Sequence, residues 1–544
     1  MAFFSANNIH MYIAIILSVV NGVLMCFAAY KFFQIIQLSG YKLKGYFYWL
    51  KDTKAKYVSR MILLTLLSTF ALLVTNALFD VYHDKALYSY IGLIFYFYFS
   101  IVLIRNIYQS PKKIPLKNTR RMTRLNIAMF LFIAVLSFFA IALSTEFLPF
   151  IKFGALCFIP LVVPFAVPIV HIILIPVEAL INNSYALKAK YNLKKNPNLI
   201  KIGITGSFGK TSTKYILNTI LSEKYKVCMS PHSFNTPTGL SKVINDYLKP
   251  EDEVLIAEMG AKRVGDIEKL CKLIEPKYGI ITGIGNQHLV SFKTVENIIK
   301  TKNELIESLP KDEGYAVFNI DTEGSKVLFD KCLLDKDYVS LLDNKSKIKA
   351  ENISFDENGS KFDLIINKKT YACSTKLLGE HNVQNILVCV QMAIKLGVKP
   401  EQIVKAISLL QPVNHRLEII KTDTNIILDD AYNASVEGST VALNVLKHFG
   451  KRKIVVTPGL VELGVKSDEE NFNFGRKIAK VADIVVIVNK VNFASIKKGL
   501  DEEKFNDENI YQAETLEKAK ILIKDFIKEN DAILFENDLP DNYI

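Results

Sequence analysis

No two of the seven cysteines are spaced as Cys-x-x-Cys, and their number is odd. Cys26, Cys157, Cys228, Cys271, Cys332, Cys373 and Cys389 lie far apart, which excludes a zinc ribbon or a disulfide framework and fits reduced, packed thiols. The first apolar segment lacks a basic stretch ahead of it and a small-residue cleavage site, so no cleavable signal peptide is expected. Transporter-ATPase signatures are missing, and no charged residue lies deep in the apolar runs, which argues against a pump. Acids are in deficit, 54 against 67 Lys and Arg, a net charge of +13. Beside membrane-length apolar runs such a surplus belongs in cytoplasmic loops, and no nucleic-acid partner is expected.

Apolar residues are abundant, half of the total, and they crowd into the first third of a 544-residue chain too long for one core. Five runs are each long enough to cross a bilayer as a helix: Met11–Tyr30, Met61–Leu78, Ala86–Ile104, Asn126–Leu143 and Phe153–Ile175. The loops Tyr41–Arg60 and Asn106–Arg124 and the segment after the fifth run carry the Lys and Arg residues, so that side is cytoplasmic. The expectation is a multi-pass protein of the cell membrane with the lipid bilayer as partner, its N-terminus outside and everything after Ile175 inside. The fifth run holds Pro160, Pro164 and Pro168, then Pro176. Such a helix must kink or have its freed carbonyls met by neighbours. A lipid-tail groove is the functional reading and a kinked packing helix the structural one, which is preferred. His171 is read as a satisfied structural histidine. Residues 1–182 form the expected transmembrane domain, and 183–198 an amphipathic linker.

From Leu199 short apolar runs alternate with helical stretches, the texture of parallel α/β sheets. Strands are expected at Ile200–Ile204, Val254–Ala257, Tyr278–Ile281, Tyr315–Asn319, Ile454–Thr457, Ile484–Val488 and Ala532–Phe535. An antiparallel insert is expected at about 338–378, with its turn at Asn358-Gly359. The boundaries read as a central ATP-binding domain over 199–411 and a C-terminal Rossmann-like α/β domain over 412–544. The first strand feeds Thr205-Gly206-Ser207-Phe208-Gly209-Lys210-Thr211-Ser212 and then a helical pattern. A glycine turn leading into a helix N-terminus cradles phosphate, Lys210 adds a charge and Thr211 a hydroxyl for Mg²⁺. The strict nucleotide-loop pattern wants glycine where Ile204 stands, so this is a variant. Glu258, at the C-terminal end of a strand, is well placed for Mg²⁺. His288 follows another strand and can ligate a metal. Lys300-Thr301-Lys302-Asn303-Glu304 alone reads as a solvated helix face. Asp429-Asp430 can hold ribose hydroxyls or an amine, or form a polar turn.

In order and spacing, this loop resembles that of the Mur ligases, as do Glu258-Met259-Gly260-Ala261, Gly285-Asn286-Gln287-His288 and Lys302-Asn303-Glu304. So do Gly379-Glu380-His381-Asn382-Val383-Gln384-Asn385, His415-Arg416-Leu417-Glu418, Asp429-Asp430-Ala431-Tyr432-Asn433 and Glu462-Leu463-Gly464. Among that family the closest likeness is to the members that add D-alanyl-D-alanine to UDP-MurNAc-tripeptide. The resemblance implies a P-loop ATPase domain of the Mur ligase type and ATP-dependent acid–amino-acid ligation through an acyl phosphate. Lys210 and the loop residues Thr205, Gly206, Ser207, Gly209, Thr211 and Ser212 would hold the ATP phosphates. Thr211 and Glu258 would ligate one Mg²⁺ and His288 a second, helped by a carbamylated Lys302. His381 and Asn385 would lie near the adenine side, Arg416 on the phosphates and Asp430 on the ribose. Asn235 and Thr236 would touch the acceptor, with Tyr432 and Asn433 as further substrate residues.

Four departures bear on the second substrate. The family's N-terminal UDP-sugar domain is replaced by the membrane segments. Ala434-Ser435-Val436 stands where the D-alanyl-D-alanine-adding members have Asn-Pro, Asn471 where they have histidine, and Leu534–Asp541 where they have a Lys-Gly-Ser-Arg element. The implied function is therefore a membrane-anchored amide ligase of cell-wall synthesis, acting on a UDP-linked muropeptide with an amino acid or dipeptide donor. A lipid-linked or other envelope acceptor with a different amine is the alternative. A membrane scaffold or transporter with a regulatory nucleotide domain is the competing class, disfavoured by the intact Glu258, His288 and Lys302.

Overall fold

The computed structural model describes residues 2–52, 56–82, 85–109, 115–146, 154–231, 234–285, 292–343, 345–431, 436–450, 452–461, 463 and 466–537. The chain divides into two compact units, 1–181 (with 540–544) and 182–539.

The first unit is helical: α1 (Ala2–Ala28), α2 (Tyr30–Leu38), α3 (Leu43–Asp52), α4 (Lys56–Tyr82), α5 (Lys85–Tyr108), α6 (Arg120–Glu146) and the greater part of α7 (Ile159–Lys194). Five of its helices, α1, α4, α5, α6 and α7, are long and apolar enough to cross a membrane. Their outward faces carry large apolar side chains such as Ile16, Leu66, Phe70, Ile94 and Phe139. Several polar groups inside are matched to one another, while Thr65 Oγ1 and Ser68 Oγ are buried with no hydrogen bond among the described residues. Tyr96 donates to Asn21 Oδ1 at 2.7 Å, and Asn21 donates to Ser137 Oγ at 2.9 Å, all three buried. Pro168 has no N–H to offer the carbonyl of Pro164, and the Tyr46 hydroxyl donates to that carbonyl at 2.6 Å. The freed carbonyl is thus met by a neighbour, as packing in an apolar medium requires. His171 is buried with Nε2 3.1 Å from the Tyr41 carbonyl. Glu178 is buried under a two-pronged hydrogen bond from Arg124, at 2.7 and 2.8 Å. No separate amphipathic helix begins after the fifth span. The same helix runs on through Lys194, because the residues from Glu178 onward are good helix formers and no glycine or further proline interrupts them.

In the second unit, six parallel strands form a sheet in the order β2-β3-β1-β4-β5-β6. They are β1 (Ile200–Thr205), β2 (Val227–Met229), β3 (Val254–Glu258), β4 (Tyr278–Ile281), β5 (Tyr315–Asn319) and β6 (Asp335–Val339). All residues of β3 and β5 are buried, which their unbroken apolar runs require of a sheet covered on both faces. Flanking helices are α8 (Lys210–Leu221), α9 (Pro237–Asp246), α10 (Asp266–Ile274), α11 (Val295–Glu307), α12 (Glu323–Lys331), α13 (Glu380–Lys395) and α14 (Pro400–Ser408). The antiparallel piece is β7 (Ile348–Asp356), β8 (Gly359–Ile366) and β9 (Lys369–Thr375); Tyr338, read as its start, belongs instead to β6. Gly359 follows the two-residue turn with φ +126°, and a Cβ there would stand 1.9 Å from the Thr375 carbonyl oxygen.

A second sheet has the order β10-β11-β15-β12-β13-β14, with β10 antiparallel and the rest parallel. Its strands are β10 (Glu418–Lys421), β11 (Ile426–Asp430), β12 (Lys453–Thr457), β13 (Ile484–Val488), β14 (Ile510–Ala513) and β15 (Ala532–Glu536). Helix α15 (Val436–Leu446) follows β11. All seven strands expected from the sequence are present. The short β2, β6, β10, β11 and β14 were not among them: they carry polar residues or span only three to five positions.

Replacing Tyr46 by Phe should leave the Pro164 carbonyl unmet and lower stability by about 1–3 kcal/mol. Thermal unfolding of the full chain in detergent checks this; an unchanged midpoint would show that the hydroxyl is dispensable.

Candidate active site

The phosphate loop joins β1 to α8. Gly209 takes φ +76° as the residue before the helix, and a Cβ on it would stand 2.6 Å from Asn385 Oδ1. Only glycine meets both demands. Asn385, on α13, therefore lies directly on the loop, and Thr213 donates to its Oδ1 at 3.2 Å. Ser207 N donates to the Gly283 carbonyl at 2.7 Å and Ser207 Oγ to that of Gly285 at 3.1 Å, tying the loop to the segment after β4. Thr205 Oγ1 donates to the Met259 carbonyl at 3.1 Å. Lys210 Nζ donates to the carbonyls of Gly206 (2.7 Å) and Ser207 (2.9 Å), and burial lowers its pKa to about 8. Ser212 sits in the first turn of α8, half-buried.

Glu258 ends β3, next to β1 in the sheet, and is 1% exposed. Its Oε1 accepts from Thr211 Oγ1 (3.2 Å) and from Asn235 Nδ2 (3.1 Å). Its Oε2 is buried with no hydrogen bond, although Lys214 Nζ stands 3.4 Å away as an ion pair. Lys214 is fully buried. A carboxylate oxygen left without a hydrogen bond beside a threonine hydroxyl, at the mouth of a phosphate loop, fits Mg²⁺, which keeps waters and takes substrate phosphates as ligands. Among the described residues no group of three or more His, Cys, Asp or Glu stands together as a metal cage.

Lys302, on α11, is 3% exposed and Glu304 8%. The reading of Lys300–Glu304 as a solvated helix face is thus wrong for Thr301, Lys302 and Glu304, which are buried, and holds only for exposed Lys300, with Asn303 half-buried. Glu304 accepts from the N–H groups of Gly265 (2.6 Å) and Glu268 (3.0 Å) and so caps α10. Burial, with the charge of Lys210 added, holds the Lys302 amine well below the usual lysine range. His381 has a shielded Nδ1 with no hydrogen bond among the described residues, and burial lowers its pKa to about 4, so the ring is neutral. Thr236 caps α9, accepting from Gly239 N at 3.2 Å.

Just before β10, Arg416 carries a charge that acts on Lys210, Lys214 and Asp430. Asp429 is paired with His415 at 2.8 Å. Asp430 accepts from Leu417 N at 3.1 Å, and burial raises its pKa to about 6. A Cβ on Gly285 would meet Glu437 Oε1 at 2.8 Å, so the start of α15 approaches the segment after β4. Asn471 is fully buried, accepts from Leu460 N (2.8 Å) and donates to the carbonyls of Leu460 and Ser467 (both 2.9 Å). It clamps the segment after β12. His288, Tyr432 and Asn433 lie outside the described residues.

Sequence reasoning missed Lys214 and the Asn235–Glu258 bond. A signal for the first exists: Lys214 lies one helical turn beyond Lys210, on the same face as Thr211.

Residues 204–393 match the Mur ligase middle domain, and residues 415–536 the Mur ligase glutamate ligase domain. The UDP-N-acetylmuramoyl-tripeptide–D-alanyl-D-alanine ligase of Bacillus subtilis is 31% identical over 268 residues, 48% of this chain and 56% of that protein. The ligase of the same name from Buchnera aphidicola is 28% identical over 62% of this chain and 77% of its own length. The chain thus spans little more than half of the first of these relatives. Among solved structures, MurF from Acinetobacter baumannii superposes with a TM-score of 0.59 at 25% identity, covering 66% of this chain and 77% of that one. MurF ligase from Thermotoga maritima in complex with ADP gives 0.57 at 25% identity, covering 66% and 80%.

Lys214→Met should cost about 3–5 kcal/mol, since it strands the buried Glu258 carboxylate. Denaturant unfolding of the variant checks this, and a loss below about 1 kcal/mol would show that the pair is not strongly coupled.

Proposed function

Since the chain belongs to the Mur ligase family of ATP-dependent, amide-forming ligases and carries its middle and glutamate ligase domains, we propose that it is a peptide ligase of cell-wall synthesis working at the cytoplasmic face of a membrane. In the reaction, an acceptor carboxylate oxygen attacks the γ-phosphorus of ATP, and ADP leaves. An amine then attacks the resulting acyl phosphate, phosphate leaves with the bonding pair, and the amine gives up a proton. The observation that carries this reading is the convergence of Thr211 and buried Glu258 on the phosphate loop that holds Lys210.

In this reading Lys210, the amides of the loop and Arg416 hold the phosphates. Thr211 and Glu258 hold Mg²⁺, with His288 at a second ion. Bound there, Mg²⁺ supplies neutralisation of charge on the transferring phosphoryl group. Asp430 takes the ribose, while Asn385 and His381 shape the nucleotide side. Lys302 is a buried amine whose pKa is held down by burial and by the charge of Lys210, which favours the uncharged form that adds CO₂; as a carbamate it becomes an anion that attracts Lys210. Asn235 is bonded to Glu258 and begins the segment that runs through Thr236 into α9. Contact of the acceptor with Asn235 and Thr236 therefore reaches the metal acid directly, and Tyr432 and Asn433 are carried over as further acceptor residues from the resemblance alone.

The similar ligases are named for a UDP-linked muropeptide and D-alanyl-D-alanine, and both are carried over as candidate substrates. The five apolar helices preceding residue 199 favour a second acceptor, a muropeptide on a lipid carrier, met at the membrane surface. ADP release by the full chain in detergent, with D-alanyl-D-alanine or single amino acids and either acceptor, tests this. Turnover with the UDP-linked acceptor alone would sink the lipid-linked reading. Lys302→Ala should lower turnover by about a hundredfold or more, with partial recovery in short carboxylic acids. Full activity of that variant would exclude the carbamate.

A further inference from the structure

Glu536 ends β15 in register with Asp430 at the end of β11, on the neighbouring parallel strand. It is fully buried, and neither of its carboxyl oxygens has a hydrogen-bond donor among the described residues. A carboxylate cannot stay charged in such a place; it neutralises by taking a proton. A buried O–H then needs an acceptor, and the group facing it is Asp430. Asp430 itself is only partly covered and keeps a face open. The other groups acting on it are the Leu417 N–H, the Arg416 charge and the Asp429 carboxylate.

We propose that Glu536 is a positioning residue, a neutral carboxylic acid that donates its proton to Asp430 and so fixes that carboxylate to accept from the nucleotide's ribose hydroxyls. This rests on the reading that Asp430 meets the ribose. The pair holds one proton and one negative charge, and the Glu536 side chain touches no substrate. Burial and the charge of Asp430 both push the Glu536 carboxyl well above the ordinary carboxylate range. Burial also raises Asp430 to about 6, while the Leu417 N–H, Arg416 and the Glu536 proton act against a further rise. As pH falls through about 6, Asp430 is protonated and its grip on the ribose weakens. Without the Glu536 donor, that loss moves to higher pH.

The test is calorimetric titration of the full chain in detergent with Mg²⁺ and either ADP or 2′,3′-dideoxy-ADP, from mildly acidic to mildly basic pH. The unaltered chain should prefer ADP by about tenfold, one hydrogen bond to a charged group. Glu536→Leu should lose most of that preference and shift the acid-side loss upward in pH. Glu536→Gln keeps an N–H donor toward Asp430 and should retain both features. Asp430→Asn should abolish the preference. If Glu536→Leu keeps the preference and the pH profile, Glu536 merely packs, and the proposal fails. If Glu536→Leu does not fold, Glu536→Gln decides: loss of the preference in that variant overturns the proposal. An unaltered preference in Asp430→Asn would instead bring down the ribose reading beneath it.

Discussion

Burial of cationic charge around one acid is the constraint on which the second unit depends. Lys214 is wholly enclosed and Lys210 partly so, and the acid that acts on both is Glu258, 3.4 Å from Lys214; Lys302 is enclosed too, with Lys210 and Glu304 as the nearest charges acting on it. Enclosed cations in excess of enclosed anions are costly unless anions arrive. The depressed amines of Lys210 and Lys302 are the local record of that cost. An anionic ligand at this loop would offset that cost. The loop glycine, the cover of Asn385 and the Asn235 tether all serve to hold this cluster in place.

Both sheets of the second unit present the C-terminal ends of parallel strands, where open α/β sheets bind ligands. The first brings Thr205, Glu258 and the segment after β4 to one edge. The second brings Asp430 and Glu536 to another, from strands far apart in sequence. Arg416 acts on residues of both sets. The proposed ligation would use such a convergence, because two reacting groups must be held together away from water.

The first unit solves a different problem with the same economy. In an apolar setting each buried polar group needs a partner from the protein itself. Tyr46 serves the carbonyl that Pro168 releases, Tyr96 and Ser137 serve Asn21, and Arg124 serves Glu178. The prolines of α7 thus act in packing, and the helix continues through them.

The sequence by itself determined the five membrane-length helices, the seven buried strands and the phosphate loop. Each is set by local physics: an unbroken apolar run, strand-length hydrophobic blocks, or a glycine before a helix N-terminus. The Glu258–Thr211 pairing was legible for the same reason, since a strand's C-terminal end announces itself. Weakly apolar edge strands escaped, because their pairing partners rather than their own residues make them strands. Only the tertiary structure decided which polar residues are interior. Lys302 and Glu304 look solvated along one helix, and Lys214 looks ordinary; enclosure by neighbouring elements buries all three and lowers the pKa of the two amines. The Asp430–Glu536 pair belongs to the same class. More than a hundred residues separate its members, and only parallel register across β11 and β15 sets two carboxyls face to face and makes them share a proton.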